Sequence, residues 1–244
     1  MDQQNEKQKC FNEIVNARRS VRIFDSEKIP ASVIDLALEN AMLAPNSSNL
    51  QPWEFFWVKS EEKKKELAQI CLSQAGAQTA SELIVCVART KTWKKLCKYQ
   101  LEQLEKLQSN GVEVPKAAFH YYRKIAPFAY ENGYFNLLGI FKKLLFFFIG
   151  LKKPMIRGPA SEKDLQIWAV KTTALACENF MLSIQASGYN SLPMEGFDKV
   201  RLHRLLDLAS DAVTVMVIAV GKEKVGAPSI PRIRMNQNEF VKII

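Results

Sequence analysis

The sequence predicts an α+β fold: a modest central mixed β-sheet surrounded by helices. Three short apolar runs, at 53–59, 82–89 and 213–220, are rich in β-branched or aromatic side chains and bounded by polar residues or glycine, as strands are. Between the second and third lies a long helical stretch without strand signals, so helices must be layered around a small sheet. A length of 244 residues with 48% hydrophobic content supplies one sizeable core. With no linker visible, the chain reads as a single domain, 1–244.

In chain order, residues 6–17 form a first helix with Phe11, Ile14 and Val15 on its apolar face. It delivers the chain to Arg18-Arg19-Ser20-Val21-Arg22. A second helix follows Pro30 and carries Val33, Ile34, Ala37, Leu38 and Ala41. The run Ala44 to Trp53, short polar side chains fenced by two prolines, reads as a loop entering the strand at 53–59. The strands at 82–89 and 213–220 have the β-branched, uninterrupted pattern of central strands. The longest helix runs from Ser161 to Gly188, opened by the capping box Ser161-Glu162-Lys163-Asp164 and closed by a glycine suited to a left-handed terminus. It should span roughly 40 Å. Ala169, Thr172, Thr173 and Ala176 at helical spacing admit close approach of another helix. The most apolar block, Tyr134 to Leu151, is interrupted by Lys142-Lys143 and barely reaches the length of a membrane span, which argues against a transmembrane helix.

Half of the ten arginines stand in two short segments, Arg18, Arg19 and Arg22 near one end and Arg232 and Arg234 near the other. A guanidinium is a rigid fork of donors that matches phosphate oxygens in pairs, so this selective use points to an anion site; each cluster alone could equally be solvated surface. Asn46, Ser47, Ser48, Asn49 and Gln51 offer both donors and acceptors, which suits the mixed polar edge of a heteroaromatic ring. In Pro193-Met194-Glu195-Gly196-Phe197-Asp198, Gly196 lets the backbone approach a ligand, or simply makes a turn.

Other chemistries are poorly supported. No two glycines are separated by one residue, so no G-x-G-x-x-G dinucleotide loop exists, and neither a G-x-S-x-G elbow nor a P-loop is present. His120 and His203 lack partners at ligand spacing, so neither a metal site nor a Ser-His triad is expected. Five cysteines without C-x-x-C spacing read as reduced thiols, and the N-terminus has no apolar signal core; together these place the protein in the cytoplasm. Net charge is +9 with a pI near 9.3, but the lysines are scattered in pairs and triplets among apolar residues, against a nucleic-acid surface.

Arg18 to Asp25, Pro45 to Trp53, Pro193 to Asp198, and Arg232 with Arg234 together resemble the motifs of the FMN-dependent nitroreductase family, in order and across nearly the whole chain; Asn46 stands where serine is more usual. The resemblance implies an intertwined homodimer with the long helix in its interface and two bound FMN molecules. It assigns Arg18, Arg19, Ser20, Arg232 and Arg234 to the FMN phosphate and ribityl. Arg22 goes to the pyrimidine edge, where reduction places negative charge. The backbone N–H of Gly196, in the Glu195-Gly196 turn, faces flavin N5, so Arg22 and Gly196 form the catalytic pair. Pro45, Asn46, Ser47 and Asn49 reach the flavin from the partner subunit, supported by Gln51.

The implied activity is hydride transfer from NADH or NADPH to FMN, then ping-pong reduction of a nitroaromatic, a quinone or a similar small-molecule acceptor. Another flavin redox reaction of the family, reductive dehalogenation or ring oxidation, and a flavin-binding or membrane-surface protein without turnover are the alternatives. The helical insert at about 93–158 is expected to shape the acceptor pocket. Residues 115–155 would form a lid, with the apolar block packed over the active site; its lysines and phenylalanines could instead rest on a membrane surface.

Overall fold

The computed structural model describes residues 2–133, 136–228 and 230–244, with side chains from residue 5 onward. Four strands, β1 (Trp53–Val58), β2 (Glu82–Arg89), β3 (Asn190–Met194) and β4 (Ala212–Gly221), form one sheet in the order β1-β2-β4-β3. All three pairings are antiparallel; the parallel component is a single bridge, Ser20 to Ser191, outside β3's free edge. β2 and β4 are central, as their uninterrupted apolar runs require. β3 was not foreseen. Its residues, Asn-Ser-Leu-Pro-Met, alternate weakly and include Pro193, which a sheet accepts at an edge and not at its centre.

Alternation along β2 and β4 divides the core between two faces. Leu83, Val85, Val87, Val217 and Ala219 pack with Leu67 and Ile70 of α3 (Glu61–Ile70) and Leu202 of α10 (Lys199–Leu205). Ile84, Cys86, Ile218 and Val220 pack on the other face with α2 (Ala31–Met42) and α9 (Glu162–Ala186). The first helix, α1, spans Asp2–Ala17 and so starts before the apolar periodicity that marked it in the sequence. A short α4 (Ala75–Thr79) leads into β2.

α9 is the helix expected from its caps. Ser161 accepts the Asp164 N–H at 3.2 Å, and Asp164 in turn accepts the Ala160 N–H at 2.9 Å. At the other end Gly188 adopts φ +81°, Gly188 N–H reaches Gln185 O, and Tyr189 N–H reaches Ile184 O. That is the paired 5→2 and 6→1 bonding of a Schellman terminus. Twenty-five residues give a length of about 37 Å.

The regular structure described in the insert between β2 and α9 is helical: α5 (Trp93–Ser109), α6 (Lys116–His120), a π-helical turn (Tyr121–Ile125), α7 (Ala126–Tyr130) and α8 (Leu137–Gly150). Tyr134 and Phe135 of the apolar block lie outside the described residues. A fork anchors the root of the insert. Asp211 accepts from Arg89 Nη2 at 2.8 Å, from Arg89 Nε at 3.2 Å and from the Lys91 N–H at 2.9 Å, with Glu54 on the far side of the guanidinium.

α8 inverts the usual arrangement of a surface helix. Gly139, Lys142 and Phe146 are buried, while Leu137, Phe141, Leu144, Phe147, Phe148 and Leu151 face outward. Lys142 is wholly buried and donates to Ala129 O, Asn132 Oδ1 and Pro159 O at 2.9, 3.1 and 3.4 Å. Its amine pKa is lowered by burial, partly opposed by the charge of Glu131. The expected lid helix thus points three of its four phenylalanines, Phe141, Phe147 and Phe148, away from the protein.

Candidate functional site

Segment 18–25 crosses the end of the sheet beside β3 and the exit of β4. Val21 N–H reaches Ser191 O, Asp25 N–H reaches Lys222 O, and Lys224 N–H reaches Ile23 O. Its anchor is Phe24, 2% exposed, whose N–H donates to Thr79 Oγ1 at 3.0 Å. The Phe24 side chain lies directly on Gly221, where a Cβ would stand 2.6 Å from ring atoms Cγ and Cδ1. Only a residue without a side chain permits that approach.

Anchored in this way, the segment forms one wall of a cavity of about 670 Å³, whose other wall is the C-terminal tail. Arg18, Arg19, Ser20 and Arg22 line one side, and Arg232 and Arg234 the other. Two arginines staple the walls together. Arg19 Nη2 donates to Ile230 O, and Arg232 Nη2 donates to Asn16 O at 3.1 Å and to Arg18 O. Five arginines therefore line one cavity, whose only carboxylate residue among the described residues is Glu223. The pKa of Arg232 is lowered by lost hydration and by the charges of Arg234, Arg18 and Arg19. A cluster of this kind is matched to a multiply charged anion with several acceptor oxygens.

Gly196 comes near the same segment through Gln74. Gln74 Nε2 donates to Gly196 O at 2.9 Å and to Cys71 O at 3.0 Å. Two residues on, Gly76 packs on the carbonyl of Arg22, which would lie 3.5 Å from a Cβ there. Among the described residues the Gly196 N–H donates to no acceptor, Glu195 is exposed without a partner, and the Arg22 side chain forms no hydrogen bond or ion pair. From the sequence Gln74 and Gln78 are alternatives for the polar edge of the flavin ring, but neither matches a motif, so neither is assigned. The only local marks of the turn at Gln74 are Leu72 and Ser73 at positive φ just before it.

The loop at 45–52 is held together internally. Asn46 Oδ1 accepts the Gln51 N–H at 2.9 Å while its Nδ2 donates to Ala44 O at 3.2 Å, and Asn49 Oδ1 accepts from Gln51 Nε2 at 3.4 Å. Asparagine at 46 supplies both a donor and an acceptor, where serine would offer one short hydroxyl. The loop is also tied to the insert. Ser48 Oγ bonds the hydroxyls of Tyr121 and Tyr130, Tyr122 donates to Ser48 O at 3.1 Å, and Gln100 donates to Asn49 O at 2.9 Å. Burial raises the Tyr130 phenol pKa, which keeps that hydroxyl neutral in the clamp. No motif pointed to these tyrosines. Within one chain, Pro45, Asn46, Ser47, Asn49 and Gln51 do not line the arginine cavity.

The fold and these segments have counterparts among known proteins. An inferred NAD(P)H nitroreductase of Bacillus subtilis, YdgI, is 29% identical over 218 residues, 87% of this chain and 88% of that one. The structure of an inferred nitroreductase from the same organism, ydfN, superposes with a TM-score of 0.74 at 23% identity, covering 96% of this chain and 98% of its own, a likeness of fold. A protein of Exiguobacterium sibiricum, described as an inferred nitroreductase and solved in complex with FMN, has a TM-score of 0.69 at 26% identity over 96% of this chain and 97% of its own. The nitroreductase family pattern matches residues 15–222, from the end of α1 to just past β4, and the chain belongs to that family.

Proposed function

We propose that the protein is an FMN-dependent oxidoreductase that uses NADH or NADPH to reduce a nitroaromatic, a quinone or a similar acceptor. One observation carries the reading: five guanidiniums from opposite ends of the chain converge on one cavity, the donor set a flavin phosphate needs. The structure of the FMN-bound relative and the names of the sequence relatives point the same way. When bound, FMN supplies the hydride chemistry, taken up at N5 and passed on in a ping-pong cycle. The protein supplies position and charge.

Arg18, Arg19, Ser20, Arg232 and Arg234 hold the phosphate and ribityl. Arg22, with no protein partner among the described residues, is available to the ring edge where reduction adds charge. The free N–H of Gly196 is the donor for N5, and Gln74 fixes that turn from its carbonyl side. Gln74 belongs with these residues although the sequence did not assign it.

The working unit is a homodimer. Leu36, Met42 and Leu43 on and after α2, and Ile167 and Leu175 on α9, are large apolar side chains left exposed in one chain. A second copy would cover them and bring Pro45, Asn46, Ser47 and Asn49 to the partner's flavin, with Gln51 bracing the loop. The insert shapes the acceptor pocket through the tyrosine clamp. Free thiols at all five cysteines, four of them buried, suit a reducing cytoplasm.

The test is the visible absorbance spectrum of the purified protein before and after anaerobic addition of NADH, then NADPH. A yellow protein bleached by either nucleotide is expected. A colourless protein that takes up no added FMN would refute the cofactor, and a yellow one that neither nucleotide bleaches would refute the reductant.

A further inference from the structure

We propose that α8 and the basic segment after it form a docking element for an anionic lipid bilayer, with the helix lying in the plane of the interface. A surface helix normally turns its apolar stripe to the core and its charges to water. Here Leu137, Phe141, Leu144, Phe148 and Leu151 recur at alternating spacings of four and three and are 56–67% exposed, and Phe147 beside them is 53% exposed. At 3.6 residues per turn they occupy a stripe roughly 100° wide on the outer side of the helix. Lys142 points inward, held by three carbonyl-type acceptors, so the outward face of α8 is fixed by specific bonds. An outward apolar stripe of this size on a helix marks a surface that something covers.

Charge selects what covers it. Residues 132–161 include Lys142, Lys143, Lys152, Lys153 and Arg157 and not one carboxylate. Lys143, Lys152, Lys153 and Arg157 are exposed, close to the stripe or just beyond the end of the helix. Phenylalanine and leucine on one face with flanking lysines is the composition of helices that insert partway into the headgroup region of anionic membranes. A second copy of the chain fits less well. If the stripe straddled a two-fold axis it would meet its own copy, and these cations would face one another. The helix cannot span a bilayer, since 14 residues reach only about 21 Å. No helix among the described residues is long and apolar enough to cross a membrane. Of the two roles the sequence leaves open for this block, lid or membrane-contacting element, α8 takes the second. The proposal does not depend on the catalytic reading above.

The experiment is flotation of the full-length protein, with any bound FMN retained, on vesicles of phosphatidylglycerol and phosphatidylcholine in equal parts, beside vesicles of phosphatidylcholine alone. The protein should float with the anionic vesicles, stay below with the neutral ones, and be released by high salt. The double variant Phe147→Ser/Phe148→Ser should reduce recovery roughly tenfold or more while keeping the wild-type mass in sedimentation. Lys152→Glu/Lys153→Glu, outside the helix and exposed, should do the same, and it decides the matter if the phenylalanine variant does not fold. Wild-type protein left in the soluble fraction, equal recovery on neutral vesicles, or undiminished flotation of a folded variant would overturn the proposal. A fall in solution mass caused by the phenylalanine substitutions would overturn it in favour of a second copy.

Discussion

Gly221→Ala tests whether the arginine wall is positioned by the Phe24 anchor. An added Cβ would stand 2.6, 2.6 and 2.8 Å from Phe24 Cδ1, Cγ and Cβ. Carbon atoms settle at about 3.5–4.0 Å, so each contact is short by roughly 1 Å. Turning the ring moves Cδ1 but not Cβ, and Phe24 is 2% exposed, so the side chain cannot swing out of the way. The backbone at 23–25 must move instead, and with it the 3.0 Å bond from Phe24 N–H to Thr79 and the 2.9 Å bond from Asp25 N–H to Lys222 O. Overpacking costs about 1–3 kcal/mol and a strained hydrogen bond about 1 more, giving about 2–4 kcal/mol in all. For a chain of this length that lowers Tm by about 5–15 °C. Because Arg22 is two residues from Phe24, FMN retention should fall in parallel. Thermal unfolding at fixed protein and FMN concentration, with the fluorescence of released flavin, measures both. A Tm within about 2 °C of wild type together with unchanged FMN affinity would show that the anchor reasoning is wrong.

Three further outcomes are expected. Arg22→Met should lower the flavin midpoint potential by tens of millivolts in spectroelectrochemical titration. A cation near 4 Å at an effective dielectric of 20 contributes up to about 4 kcal/mol, or roughly 90 mV, and solvent exposure of Arg22 reduces this; an unchanged potential in a variant that binds FMN would reject the role. Arg232→Ala removes a cation and the donor joining the tail to Asn16 and Arg18, so the Kd for FMN should rise roughly tenfold or more, with the gap narrowing as salt is added. Asp211→Asn should destabilise the fold at neutral pH by about 2–3 kcal/mol, less than a fully isolated pair would lose because Glu54 still faces Arg89. Burial works against ionisation of Asp211, but Arg89 and the Lys91 N–H outweigh it and hold the carboxyl below its ordinary pKa. A depressed carboxyl contributes its full stability above the unfolded value near 3.9 and loses it as pH falls through the folded value. The difference between wild type and Asp211→Asn in urea unfolding should therefore shrink at acid pH, and a constant difference would rule out the ionised fork.

The elements legible in the sequence are those whose signals are local. β2 and β4 announce themselves because burial on both faces demands an unbroken apolar run, and α9 because its caps lie within three or four residues of its ends. β3 was hidden because only tertiary context makes a strand of Asn-Ser-Leu-Pro-Met: β4 pairs one side and Ser20 bridges the other. The arginine cavity was legible as composition, and the structure brings all five side chains to one place. The tyrosine clamp was not, since Tyr121, Tyr122 and Tyr130 meet Ser47 and Ser48 across more than seventy residues of sequence. The apolar block was legible as helix, but the direction of its apolar face was not. Hydrophobic content shows that a helix has an apolar face, but here a buried lysine with three acceptors determines where that face points.

The use of arginine in this cavity follows from two tasks given to the same side chains. Arg19 and Arg232 must hold backbone carbonyls across the junction of the two chain ends, and they must still present donors to whatever occupies the cavity. An ammonium has three donors on one atom, and binding carbonyls consumes the same point that would meet the ligand. A guanidinium spreads five donors over a plane, so one edge can staple while the other remains open. The same stapling concentrates like charge: after lost hydration, the charges of Arg234, Arg18 and Arg19 lower the pKa of Arg232. Without an anion, the bonds that join residues 16–19 to residues 230–232 act against the repulsion among their own side chains. An anion in the cavity changes that repulsion into attraction on both walls. Cofactor binding and closure of the two chain ends are then a single equilibrium, so occupancy of the cavity should stabilise the whole fold in proportion to RT ln(1 + [L]/Kd).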